Sequence, residues 1–205
     1  MNPGNGAFQV ALNSKIYVDK TGLLDYTNSV LGTTDAYICN SRPRRFGKSY
    51  AANMLAAYYS KGCNSEKMFS ELDIAKTENF ALHLNKYDVI HIDVQWCMMD
   101  AGSPEATVKY INDNLISELK ENYPDIPVEK ANTVYGALSD IYAATGNRFV
   151  IIIDEWDCIF REYKSDKEAQ EQYLDFLRDF LKDKSYIHLA YMTGILPVKK
   201  YGTHS

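Results

Sequence analysis

The stretch ICNSRPRRFGKSYAANML, Ile38 to Leu55, places Arg42, Arg44, Arg45 and Lys48 within seven consecutive residues and then turns apolar at helical spacing. Its second half, Gly47-Lys48-Ser49, fits the end of the phosphate-binding pattern GxxxxGK[ST], which needs a strand before it and a helix after it. Both are expected here. AYICN (36–40) is a short β run, and Ala51, Ala52, Leu55 and Tyr58 or Tyr59 recur at helical spacing between Lys48 and Ser60. In this reading the loop from Pro43 through Arg44, Arg45, Phe46, Gly47, Lys48 and Ser49 to Tyr50 wraps a phosphate chain. Gly47 lets backbone amides come close, Lys48 reaches the β- and γ-phosphates, and the Ser49 hydroxyl ligates Mg²⁺. The helix starting at this point adds its dipole and unpaired N–H groups. Arg42 stands where the pattern has its first glycine, which an L-residue tolerates if its φ stays negative. Pro43 stiffens the loop and removes one donor. The competing explanation is a chance tripeptide in a basic surface turn.

Outward from the loop, strand-like and helical patterns alternate. YDVIHIDVQWC (87–97) reads as a second strand. After DAGSP, Val108, Ile111, Leu115, Ile116 and Leu119 mark a helix that ends before Pro124. A further helix is expected over 128–144, with Gly146 as its stop. RFVIIID (148–154) is apolar throughout, as a central parallel strand buried on both faces should be. Tyr173, Leu174, Leu177, Phe180 and Leu181 define another amphipathic helix with a solvated charged face, and YIHLAYMTG (186–194) is the fourth strand. Such alternation predicts an α/β domain, a three-layer sandwich with a mainly parallel sheet, spanning 1–205.

Ligands of parallel sheets bind at the carboxyl ends of the strands. The basic loop, Asp154-Glu155 and Thr193-Gly194 all fall at such ends, and their convergence is stronger than any one motif. Asp154 is placed to hold Mg²⁺ through a water, Glu155 to polarise the water attacking a γ-phosphate, and Thr193 to sense or orient that phosphate. An acidic turn and a Thr-Gly exit also end many strands without any such role.

Composition narrows the classes. The chain has 205 residues, 46% apolar and 24% charged, enough for one α/β domain with a buried sheet. A net charge of -5 and a pI near 5.4 argue against a protein that coats nucleic acid. A local contact through Arg42, Arg44, Arg45, Lys199 and Lys200 is weaker than the reading in which the arginines serve phosphate. Apolar runs are strand-length, so no membrane span is expected, and the N-terminus lacks a signal-peptide pattern. Cys39, Cys63, Cys97 and Cys158 are scattered without a CxxC pair and read as reduced thiols of a cytoplasmic protein. His83, His91, His188 and His204 form no ligand-spaced cluster. The 16 tyrosines, as in AAYYSKG and SDIYAATG, read as packing residues at helix edges.

These motifs together resemble the bacterial AAA-ATPase-like proteins related to the archaeal ATPases. NSKIYVDKTGLLDY resembles the family's N-terminal segment, SRPRRFGKS its phosphate loop, IIIDEWD its IDEYD acidic motif, and MTGILPVKKYG the segment after its fourth strand. The resemblance covers nearly the whole chain. It implies a phosphate-loop NTPase core of the ASCE/AAA-like kind, with Lys48, Ser49, Asp154 and Glu155 handling ATP and Mg²⁺. Arg42 is then normal for the family, and Tyr17 to Lys20 lie near the base; Asp157 matches the motif without an assigned role. Family members continue further, with a fifth strand, a helical lid carrying arginine contacts and often a nuclease-like domain. The expectation is therefore a core truncated after its fourth strand, with an open site and no arginine finger in cis. The function expected is Mg-ATP binding, with hydrolysis to be tested. The alternative is a truncated, non-hydrolysing module, a protein-interaction or inhibitor protein of a mobile element. Self-association through an unpaired sheet edge is a further expectation.

Overall fold

The computed structural model describes residues 1–128 and 132–197. Four strands, β1 (Tyr37–Ser41), β2 (Asp88–Asp93), β3 (Phe149–Asp154) and β4 (Ile187–Gly194), form one sheet in the order β1-β4-β3-β2. Every pairing is parallel. The fourth strand thus sits between the first and the third, and Thr193 pairs with Asn40 while Asp93 pairs with Asp154.

This order fixes where the helices lie. From β1 the chain crosses the sheet to β2 and then steps back through β3 to β4. Right-handed crossovers in opposite directions must pass over opposite faces. One face accordingly carries α1 (Gly6–Leu12), α2 (Gly22–Val30), α3 (Lys48–Tyr59), α4 (Glu66–Phe69) and α5 (Phe80–His83). Phe8, Leu24, Leu55 and Phe69 pack there on Val89, Val150, Ile152, Leu189 and Tyr191. The other face carries α6 (Val94–Ala101), α7 (Pro104–Asn122), α8 (Val134–Thr145), α9 (Cys158–Glu162) and α10 (Lys167–Leu181). Ile111, Leu138 and Phe180 pack there on Ile90, Ile92, Ile151, Ile153 and Ile187. The three layers are α/β/α, and β3 is buried along its whole length, as its apolar run requires.

Two expected boundaries move. The second strand stops at Asp93 rather than residue 97, because the Asp93 carboxylate accepts the Trp96 N–H at 3.0 Å and caps α6. An aspartate cap converts the following apolar residues into a helix start. The helix expected from 128 begins at Val134, capped by the Thr133 hydroxyl, and ends at Gly146 with φ 72° as expected. Residues 129–131 lie outside the described part. Tyr58 and Tyr59 are fully buried, with their hydroxyls donating to the Phe80 carbonyl and to Asn28 Oδ1, so they are packing residues as read. Burial pushes the Cys97 thiol up to about 11 and the Cys158 thiol to about 12, which keeps both protonated. Among the described residues, no helix is long and apolar enough to cross a membrane.

Candidate functional site

Strand alternation decides which side chains meet. On β3, Val150 and Ile152 face α3, so Asp154 faces α3 as well; on β4, Leu189 and Tyr191 bring Thr193 to the same face. Helix α3, which follows the glycine loop, starts beside them. Thr193 is fully buried and donates its hydroxyl to Asp154 Oδ1, which also accepts the Glu155 N–H at 3.0 Å. Asp154 is nearly buried, so two donors orient it behind the surface of the site rather than on it.

The loop itself bends through two left-handed residues, Arg45 at φ 69° and Gly47 at φ 75°. Arg42 is not among the positive-φ residues, and its N–H donates to the Gly194 carbonyl at 3.0 Å, continuing the pairing of β1 with β4. Arginine therefore replaces glycine there without strain. Lys48 is nearly buried; its ammonium donates to the Pro43 carbonyl at 3.3 Å across the loop and lies 3.9 Å from Glu155 Oε1. Ser49, Phe46 and Tyr50 are exposed. At Gly47 a methyl group would sit 2.8 Å from the Lys20 ammonium, which donates to the Phe46 carbonyl at 3.3 Å. A second lysine thus stands over the loop.

Lys20 arrives on a segment that Asp19 pins in place. Asp19 accepts the Thr21 N–H and hydroxyl through Oδ1 and the Asp73 N–H through Oδ2, and these bonds hold its carboxyl below its ordinary range despite burial. The same segment brings Tyr17, Val18 and Ile16 to the rim. Burial, with Asp19 nearby, pushes the Tyr17 phenol up to about 12, so it enters as a neutral aromatic donor. Segment, loop and acidic turn enclose a cavity of about 940 Å³, lined by Tyr17, Val18, Lys20, Arg44 to Ala51, Glu155 and Arg161.

The acidic turn is strained. Among the described residues, Arg45 and Glu155 are the two of positive φ that are neither glycine, asparagine nor aspartate, and both line the cavity. Such a conformation costs about 1–3 kcal/mol and concentrates where geometry matters. Glu155, at φ 52°, is flanked by Lys48 and by Arg161, which donates to its Oε2. Asp157, unassigned from sequence, is fully buried: its Oδ2 accepts the N–H groups of Ile195 and Leu196, and its Oδ1 lies 3.2 Å from Arg161 Nε. It ties the end of β4 to the acidic turn. Gly194 is needed for this closure, since a Cβ there would come within 2.5 Å of Trp156 Nε1.

Sequence reasoning missed two residues near the site, Arg161 and Asp93, and placed a third, Lys20, only in part. Arg161 lines the cavity and donates to Glu155. Asp93 lies beside Asp154 in register, and burial, with Asp154 and Glu155 close by, raises its carboxyl above the ordinary range. Lys20, on the segment expected near the base, also reaches the glycine loop, donating to the Phe46 carbonyl. Of the basic patch, Arg44 lies 4.0 Å from Glu162, while Lys199 and Lys200 lie outside the described residues.

A parallel α/β sheet whose carboxyl edge joins a glycine loop, a helix N-terminus and a buried acidic strand end is consistent with a phosphate-loop core. The chain belongs to the AAA-ATPase-like family, described as "Predicted AAA-ATPase", which it matches over residues 8–203. No curated protein and no solved structure matches the chain. Family membership supports nucleotide binding.

Proposed function

We propose that residues 1–205 form an ATPase core that binds Mg-ATP in this cavity and hydrolyses it. One observation carries the reading: the loop from Arg44 to Tyr50 and the carboxylate of Glu155 line the same cavity, at the start of α3. The donor set fits a phosphate chain. Backbone N–H groups at a helix start, Lys48, Lys20 and Arg44 present positive charge, and Gly47 leaves the space that a Cβ would fill. Lys48 exchanges the Pro43 carbonyl and Glu155 for the β- and γ-phosphates. Tyr17 and Val18 offer an apolar wall to the base.

The chemistry is water attack on the γ-phosphorus, with Glu155 as the group that takes the proton. Mg²⁺, held by the Ser49 hydroxyl and by Asp154 through water, would neutralise charge on the β- and γ-oxygens. Thr193 acts through Asp154, whose Oδ1 it holds in place. The strained backbone of Glu155 sets its side chain toward the cavity rather than along the strand.

The test is thermal unfolding with Mg-ATP, with ATP plus chelator, and alone. At a ligand concentration of 100 Kd the stabilisation is about 2.7 kcal/mol, a rise in Tm of roughly 5–10 °C for a chain of this size. Chelation is expected to remove most of it. An unchanged Tm at millimolar Mg-ATP contradicts the proposal.

A further inference from the structure

The charges around α9 form a closed circuit. Lys48 faces Glu155 Oε1 at 3.9 Å, and Arg161 donates to Glu155 Oε2. The same guanidinium lies 3.2 Å from Asp157 and 3.8 Å from Glu162, whose carboxylate is 4.0 Å from Arg44, back on the phosphate loop. The circuit therefore begins and ends on the segment proposed to hold the phosphates, and Arg161 is its hub.

Two features make the hub able to change partner. Its inner end is the better placed: α9 is pinned by buried Cys158, Ile159 and Phe160, and Asp157, held by the Ile195 and Leu196 N–H groups, lies 3.2 Å from the guanidinium Nε as an ion pair without an aligned hydrogen bond. Its outer end reaches the cavity, where the NH2 group donates to Glu155, whose carboxylate, among the described residues, accepts no backbone N–H as that of Asp157 does. A guanidinium offers several donors in a planar fork, so one end can trade partner while the other remains bound.

The arrangement of Glu155 also calls for a change. One of its oxygens accepts from Arg161 and the other faces Lys48, so the carboxylate is engaged by cations on both sides. A carboxylate with each oxygen already facing a cation has less room to seat a water. A γ-phosphate carries more negative charge than a carboxylate and presents oxygens in the geometry a guanidinium fork matches. Lying against Lys48, it is also close to the NH2 group of Arg161, since Arg161 donates to one oxygen of Glu155 and Lys48 lies 3.9 Å from the other.

Resting on the ATPase reading above, we propose that Arg161 is a catalytic cation supplied in cis. It holds Glu155 in an ion pair until Mg-ATP binds, then transfers its NH2 group to the γ-phosphate while Asp157 keeps its Nε end. The transfer frees Glu155 for the attacking water. The water oxygen bonds to the γ-phosphorus, and the bond to the β–γ bridging oxygen breaks with its electron pair left on ADP. One water proton passes to Glu155 and from there to solvent; the other stays on the released phosphate.

The experiment compares Mg-ATP with Mg-ADP binding, and phosphate release, in the wild type, Arg161→Ala and Arg161→Lys. A group that touches only the γ-phosphate discriminates the two nucleotides. Arg161→Ala is expected to weaken Mg-ATP roughly 10-fold or more and Mg-ADP less than about twofold. Its rate should fall by about 10³-fold, with Arg161→Lys intermediate in both readouts. Equal weakening of both nucleotides would make Arg161 structural and overturn the proposal. A faster rate with unchanged Mg-ATP affinity would reduce it to a simple restraint on Glu155, overturning the γ-phosphate contact. Should Arg161→Ala not fold, the lysine variant decides: an ATP-to-ADP affinity ratio equal to that of the wild type refutes the transfer. A folded wild type that binds neither nucleotide refutes the ATPase reading itself, and is thereby distinguished from failure at Arg161.

Discussion

A Lys48→Ala chain is expected to fold as the wild type does and to bind Mg-ATP roughly 100-fold more weakly, the loss of a charge-assisted contact to phosphate. Both halves of that expectation come from the surroundings of Lys48. The ammonium is nearly buried, and its contacts are the Pro43 carbonyl at 3.3 Å and Glu155 Oε1 at 3.9 Å. Removing a buried cation usually strands its partner. Here Glu155 keeps Arg161, so no buried carboxylate is left alone, and alanine is favoured at the first position of α3. Affinity should thus fall without a comparable loss of stability. Competition with a fluorescent ATP analogue measures the first, and urea unfolding the second. Wild-type affinity in this variant would mean that the phosphates do not lie on the loop.

The second large effect is on turnover. Glu155→Gln is expected to lower phosphate release by at least about 100-fold, the lower end of what a positioned general base contributes. Glutamine preserves length and can still accept a hydrogen bond from Arg161, so the cavity keeps its shape. It cannot take a proton from water. It also gives up the charge that holds Arg161 and Lys48, so Mg-ATP should bind at least as tightly as in the wild type. The combination of retained binding and lost turnover separates a base from a residue that merely supports the site. An unchanged rate would show that another group accepts the proton, and loss of binding together with rate would assign Glu155 to the fold.

Much of this site was legible because its parts are local. Gly47-Lys48-Ser49 sits between a β run and a helical repeat, and Ile151 to Ile153 run straight into Asp154, so each motif carries its own structural context. Thr193 follows from the same rule at the end of β4. What stayed hidden is relational. No pattern within YIHLAYMTG says that β4 inserts between β1 and β3, yet that insertion lets Thr193 donate to Asp154. The second strand was read through to residue 97 because Val94, Trp96 and Cys97 continue an apolar run. The cap by Asp93 that turns them into α6 competes with strand propensity and wins locally.

Arg161 was missed for a geometric reason. In DEWDCIFRE it lies four residues after Asp157 and six after Glu155, a spacing that means nothing until a short helix begins at Cys158. One turn of helix then lays the guanidinium back over both carboxylates. The left-handed backbone of Arg45 and Glu155 was likewise invisible, since neither residue type favours it and only the surrounding contacts impose it. Lys20 was placed near the base by resemblance. Its position over Gly47 depends on Asp19 fastening the segment to Thr21 and Asp73, a long-range contact no local pattern encodes.

Amide hydrogen exchange with and without Mg-ATP tests the central claim most directly, because it reports where the nucleotide lies rather than only whether it binds. The account predicts slowed exchange at the backbone amides of Arg44 to Tyr50 and around Tyr17 to Lys20, reversed by a chelator and absent in Lys48→Ala. Slowed exchange elsewhere with the loop unaffected, or no change at saturating Mg-ATP in a folded chain, would contradict it.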